Sequence, residues 1–182
     1  KESSVGEILK DFFVEIAKDL EISLINYQKS KDEKYLAQIK NLIGNALIET
    51  QLIQLASKEK SEFIKELRNL FDKKKMSRID ILGDEQNKNL EKKIFLQIID
   101  FSWRSHLQYL EHLRQVIGLR QYGQKDPLSE FKKEAFVLFE GLLSKIKIDV
   151  IKLLFNLNIV VSSNEENVEG QKKDDFKKDG RN

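Results

Sequence analysis

Pro127 is the only proline among 182 residues, and it follows Asp126 directly, between two runs whose apolar residues recur every three and four positions. Proline is excluded from a helix interior by its missing N–H and its ring, yet it suits the first helical position, and an aspartate before it is a good N-cap. Gly123, just upstream, tolerates a positive φ. The spacing therefore predicts a helix that stops short of a polar, aromatic-bearing turn and a second helix that starts at Pro127. The first reads from about Leu90 to Arg120, about 45 Å at 1.5 Å per residue. The second reads to about Asn156 through Leu128, Phe131, Ala135, Phe136, Phe139, Leu142, Leu143, Ile146, Val150, Ile151 and Leu154. Two helices of matched length joined by a tight turn form an antiparallel hairpin.

The rest of the chain is also helical in pattern. With eight glycines, one proline and few strand signals, an all-α fold is expected throughout. Ser3 or Ser4 is placed to cap a helix whose stripe runs through Val5, Ile8, Leu9, Phe12, Phe13, Ile16, Leu20 and Leu24, ended by the polar run from Lys29 to Lys34. A second amphipathic helix carries Leu36, Ile39, Leu42, Ile43, Ala46, Leu47 and Ile53. A third, capped by Ser57 or Ser61, holds Phe63, Ile64, Leu67, Leu70 and Phe71. These three are expected to form a small bundle over residues 1–86, with a connection around Gly83 to Asn89. The hairpin then spans residues 87–161, and the polar stretch 162–182 is expected to be disordered. Between Ile94 and Trp103 the apolar residues cover most of the helix circumference, so burial on more than one side is expected there.

Composition narrows function mainly by exclusion. Thirty-two basic and thirty acidic residues leave a net charge of +2, too small to imply nucleic acid or an anionic surface as partner. The cluster Lys58, Lys60, Arg68, Lys73, Lys74 and Lys75 reads as solvated helix surface. There is no cysteine, hence no disulfide or thiolate metal site. His106 and His112 lie six residues apart, and neither has a His, Asp or Glu four residues on, so no helical metal pair is expected. Asp100, Ser102 and His106 sit on one helix without the strained elbow or oxyanion donors of a hydrolase. The apolar window Ile146 to Val161 is broken by Lys147, Asp149 and Lys152 and falls short of the ~20 apolar residues a bilayer span needs. The start at Lys1, with no initiator Met and no signal-peptide pattern, reads as that of a fragment.

One contiguous stretch is far more specific. Trp103, His106-Leu107 and Arg114-Gln115 precede Leu119-Arg120, Tyr122 and Gln124-Lys125-Asp126-Pro127, followed by Glu130, Phe131, Lys132-Lys133, Glu134 and Ala135-Phe136. From about Leu90 to Val160 this resembles the two-helix finger of SecA, the ATP-driven motor of bacterial and plastid protein export. A common form of the family has Gly at the place of Val116, His at Gly118, Gly at Gln121, Ala at Gly123, Tyr at Phe131 and Arg at Lys133. The tip tyrosine and the Asp-Pro start are kept. By chain order, residues 1–86 look like the family's helical wing and part of its scaffold.

The resemblance implies that Tyr122, with Arg120, Gln121, Gly123, Gln124 and Lys125, forms a tip that meets the secretory preprotein and the SecY channel, and that Trp103, His106, Leu107, Arg114, Asp126 and Pro127 brace it. An exposed ring on a rigid hairpin can grip any sequence through its apolar face and hydroxyl. Without the family match, Tyr122 reads as a turn aromatic folded back on the hairpin. The resemblance further implies partners in the SecY/SecE/SecG channel, unfolded preproteins and the protein's own motor domains, and it allows a homodimer; nucleic acid is not among them. ATP and magnesium belong to motor domains whose nucleotide-binding loops are not in this sequence, so neither a cofactor nor a catalytic residue is expected in these 182 residues. The implied location is the cytoplasm, peripheral at the inner membrane, or alternatively the plastid stroma and thylakoid. The reading that stands beside it is a free-standing helical protein–protein adaptor.

Overall fold

The computed structural model describes residues 4–119 and 126–159, and within them every regular element is helical. The all-α expectation holds. The expected disorder of residues 162–182 concerns positions outside the described residues.

Helix α1 (Val5–Ser30) starts at a capping box: Ser4 Oγ accepts from the Glu7 N–H, and the Glu7 carboxylate accepts from the Ser4 N–H. It ends at Lys31, whose left-handed backbone (φ 56°) returns its N–H to the Tyr27 carbonyl. Helix α2 (Glu33–Ile43) is capped by Asp32. The long second helix expected through Ile53 does not form. Gly44 takes φ 58°, a 3-10 turn covers Gly44–Ala46, and a separate helix α3 (Glu49–Ala56) follows. The apolar spacing that links Leu36 to Ile53 is real, but it cannot show that one glycine bends the path.

Helix α4 (Lys60–Leu82) and helix α5 (Asp84–Leu119) meet at a single residue. This corrects the expected connection from Gly83 to Asn89 and the start at Leu90. Charged residues between Asp72 and Asn89 read as linker, but apart from the buried Arg78 they lie on exposed or half-buried faces of two continuous helices. Gly83 alone makes the break: at φ 83° and ψ 157°, a conformation open to glycine and closed to nearly everything else, it sends its N–H to the Ile79 carbonyl and receives the Asn87 N–H. Asp84 and Glu85 suit the positive end of the α5 dipole. Helix α6 (Pro127–Asn156) begins and ends where the sequence places it.

One core joins all six helices. Phe13, Phe71 and Phe155 lie within stacking distance of one another, with ring centroids 5.0 to 6.4 Å apart. Around them are buried Leu24, Ile39, Ile43, Phe63, Leu67, Val150, Ile151 and Leu154. Helix α5 reaches this core only through Leu90, Ile94, Phe95, Ile98 and Ile99, and α6 only from Leu142 onward. Beyond those points the two helices pack on each other. The expected boundary at residue 86 falls in the first turn of α5, so the core takes side chains from both sides of it.

Candidate functional site

The hairpin has a root and an arm. From Ile99 to Leu119 the arm of α5 extends for about 30 Å. Antiparallel pairing is shown by the contacts: His106 lies 6.1 Å from the Phe139 ring, and Leu113 and Val116 share a groove with Lys133 and Val137. The seam buries Ser102, His106, Leu113 and Ile117. Much of the remaining apolar surface stays open, with Phe101 70 %, Val137 65 % and Phe136 61 % exposed. Two grooves of about 500 and 250 Å³ run along one side of the arm and share Tyr109, Val137 and Leu138.

The start of α6 is built by Asp126. Its carboxylate accepts from the N–H groups of Leu128 (3.3 Å) and Ser129 (3.1 Å) and from the Ser129 hydroxyl (2.6 Å). These bonds, the hydroxyl's foremost, hold its pKa below the usual aspartate value. Pro127 occupies the first helical position. The other bracing residues spread along α5. Trp103 lies 5.6 Å from His106 on the same helix, and about half its surface is free. Leu107 is exposed. Arg114 bonds Glu111 one turn back at 2.8 Å, and this bond lowers the Glu111 pKa. Arg104 pairs with Asp100, again within α5. These ion pairs therefore follow the helix surface and do not cross to α6. The six tip residues Arg120, Gln121, Tyr122, Gly123, Gln124 and Lys125 lie outside the described residues.

The hydrolase grouping finds no support in this geometry. Asp100 is taken by Arg104, His106 sits between two aromatic rings, and the buried Ser102 hydroxyl has no hydrogen-bond partner among the described residues. Of the basic cluster, Lys58 pairs with Glu66, Lys60 with Glu21 and Lys75 with Glu91, while Arg68 lies over the Phe13 ring. No group of three or more metal-ligating side chains gathers among the described residues, and no helix there is long and apolar enough to cross a membrane.

Sequence reasoning missed the root. Arg78, near the end of α4, is buried and divides its guanidinium between the beginning of α5 and the end of α6. Nε donates to Asn87 Oδ1 (3.2 Å), Nη1 to the Leu154 carbonyl (2.9 Å) and Nη2 to Glu91 Oε1 (3.2 Å). Asn87 Nδ2 donates to the same Glu91 oxygen (3.1 Å), and Lys75 Nζ stands 3.5 Å from the other. Burial pulls the Arg78 pKa down and the Glu91 hydrogen bond opposes it; a guanidinium remains charged even so. On the far side of α6, Asn156 accepts the Asn45 N–H (3.1 Å) and donates to the Leu42 carbonyl (3.3 Å). The one available signal was indirect: Arg78, Asn87 and Glu91 occupy inward positions of helices whose charged residues otherwise face water or are half-buried.

The described residues thus form an all-α bundle that carries a long, partly uncovered helical hairpin. Residues 1–158 match the SecA Wing and Scaffold domain model. The chain belongs to this family. It is 45 % identical over 157 residues to the protein translocase subunit SecA of Pelagibacter ubique, which covers 85 % of this chain and 18 % of the relative. The corresponding subunit of Thermodesulfovibrio yellowstonii is 33 % identical over 175 residues, covering 94 % of this chain and 19 % of the relative. That of a Caulobacter species, strain K31, is 43 % identical over 104 residues, covering 57 % and 11 %. The chain thus spans about a fifth or less of the length of the curated relatives it matches.

Proposed function

We propose that this chain is a mechanical and binding module of the Sec protein translocase, in which the hairpin tip meets the moving preprotein at the mouth of the SecY/SecE/SecG channel. The family match over residues 1–158 carries the reading. Its support in the geometry is the arm itself, two long helices held at one end by a packed core and free of it for the last 30 Å or so. Tyr122 is the residue set against the substrate, with Arg120 and Lys125 beside it to meet carbonyl or acidic groups. ATP and magnesium act in the motor domains of the relatives, and this module contributes no catalytic group. The open apolar side of the arm is where those motor domains brace it, at the cytoplasmic face of the membrane.

The test places a photoreactive residue at position 122 of a full-length subunit during ATP-driven translocation into vesicles that contain the channel. Crosslinks to the translocating chain are expected. An active subunit that crosslinks to neither chain nor channel would leave the hairpin as scaffold alone.

A further inference from the structure

Where α6 ends, two polar groups from distant parts of the chain take hold of it. The last four carbonyls of a helix have no intrahelical partner. One of them, from Leu154, is met by Arg78 of α4, 76 residues away. Two residues on, the Asn156 amide is joined to Leu42 and Asn45, and its Oδ1 lies so close to Gly44 that an added Cβ would stand 2.0 Å from it. Arg78 also ties α5, through Asn87 and Glu91. A single fork of donors, carried near the end of α4, therefore touches the beginning of α5 and the end of α6, next to the one-residue break at Gly83.

Such a buried arrangement is poorly explained by stability alone. Desolvating an arginine and a carboxylate offsets most of what their attraction returns, and apolar replacements of the same volume often fold as well or better. Polar groups in a core instead specify geometry, because each bond is lost when a helix rotates or slides by a fraction of a turn. Apolar side chains on α5 and α6 tolerate such shifts, since Ile, Leu and Phe contacts have no direction. The arm amplifies them: Leu119 lies about 42 Å along α5 from Glu91, so a tilt of about 10° at the root moves the far end by about 7 Å.

We infer that Arg78 is the positioning residue of the hairpin, fixing through Glu91, Asn87 and the Leu154 carbonyl the rotation and register at which α5 and α6 leave the bundle. That the far end is what must be placed rests on the translocation reading above. Crosslinking from position 122 tests that reading, and the distances below test the placement, so each can fail alone.

The chain has no cysteine, so Lys40→Cys and Gln108→Cys give one spin label on exposed α2 and one on the exposed arm of the whole 182-residue chain. Pulsed dipolar spectroscopy then reads the spread of distances between bundle and arm. Arg78→Met is expected to broaden that spread at least twofold. Arg78→Lys keeps a charge against Glu91 and loses the fork, so it broadens the spread less. The decisive variant is Arg78→Met with Asn87→Leu and Glu91→Leu, which makes the root side chains apolar and restores the thermal midpoint while the distances stay broad. A triple variant as narrow as the parent chain would overturn the inference. So would loss of the folded state in all three variants, which would make Arg78 a stabilising residue only.

Discussion

The inner and outer halves of α6 carry nearly the same apolar spacing and meet opposite fates. Leu142, Ile146, Val150, Ile151, Leu154 and Phe155 are buried, whereas Leu128, Phe136, Val137 and Phe139 are exposed. The difference lies in the number of neighbours. The inner half is surrounded by α1, α2, α4 and α5, while the outer half has α5 alone. An apolar stripe broader than one helix contact needs a second partner, and a two-helix arm cannot supply one. Sequence amphipathicity thus states how much surface wants covering, and topology decides whether this chain covers it.

The comparison is broken most forcefully at the root. Phe155 is fully buried against Phe13 and Phe71, so Phe155→Ala is expected to cost about 3 to 5 kcal/mol by urea unfolding. The same truncation on the arm, Phe136→Ala, is expected to stay within about 0.5 kcal/mol. Equal costs would mean that the arm is packed as tightly as the core. Gly44→Ala comes next. It combines a positive φ with a Cβ 2.0 Å from the Asn156 amide, and a loss of about 1 to 3 kcal/mol is expected. The paired variant Gly44→Ala with Asn156→Ala relieves the clash and keeps the backbone strain, so it should recover part of that loss.

The same contrast explains what could be read from the sequence. Helix existence, the α1 cap and the Asp126-Pro127 start follow from local chemistry, in which each residue and its partner lie within one turn. The tip and bracing residues are marked only by a contiguous family pattern, and the tip lies outside the described residues. What stayed hidden depends on sequence-distant partners. Gly44 reads as an unremarkable small residue until Asn156, 112 positions later, is packed against it. Arg78 and Asn87 fall in a segment that reads as a charged connection and Glu91 just beyond it, because nothing local marks a guanidinium that will meet the end of another helix. Gly83 looks like the start of a linker, and the positive φ that lets one residue join two helices is not written in its neighbours.

Uncovered apolar surface on the arm is open to a direct measurement. Phe101, Tyr109 and Val137 lie along the groove side and are 65 to 70 % exposed. Replacing them together by serine is expected to lower binding of an environment-sensitive hydrophobic dye, and to reduce self-association, while moving the urea midpoint by less than Gly44→Ala does. If the triple variant unfolds at a much lower midpoint, the arm's surface is internal to a fold tighter than these exposures allow, and the contrast between root and arm fails.

The smallest effect is expected where the arm begins its return, and acid reveals it. Bonds from Ser129 and Leu128 depress the Asp126 pKa in the folded state, whereas an unfolded aspartate titrates near 3.9, so the carboxylate's contribution is present above about pH 4. It is lost as the pH falls through the lower, folded value, when the protonated acid stops acting as a full acceptor for the first turn. Amide exchange at Leu128 and Ser129 should therefore accelerate relative to Val150 below pH 4. Asp126→Asn, which cannot ionise and caps nearly as well, should flatten that pH dependence. Because the cap is fully exposed and its bonds to Leu128 and Ser129 stay within the first turn of α6, melting at this end is expected to stay local to the first turns of α6, with the root unchanged. Acid exchange that speeds up together at Leu128 and Val150 would show instead that arm and root open as one unit.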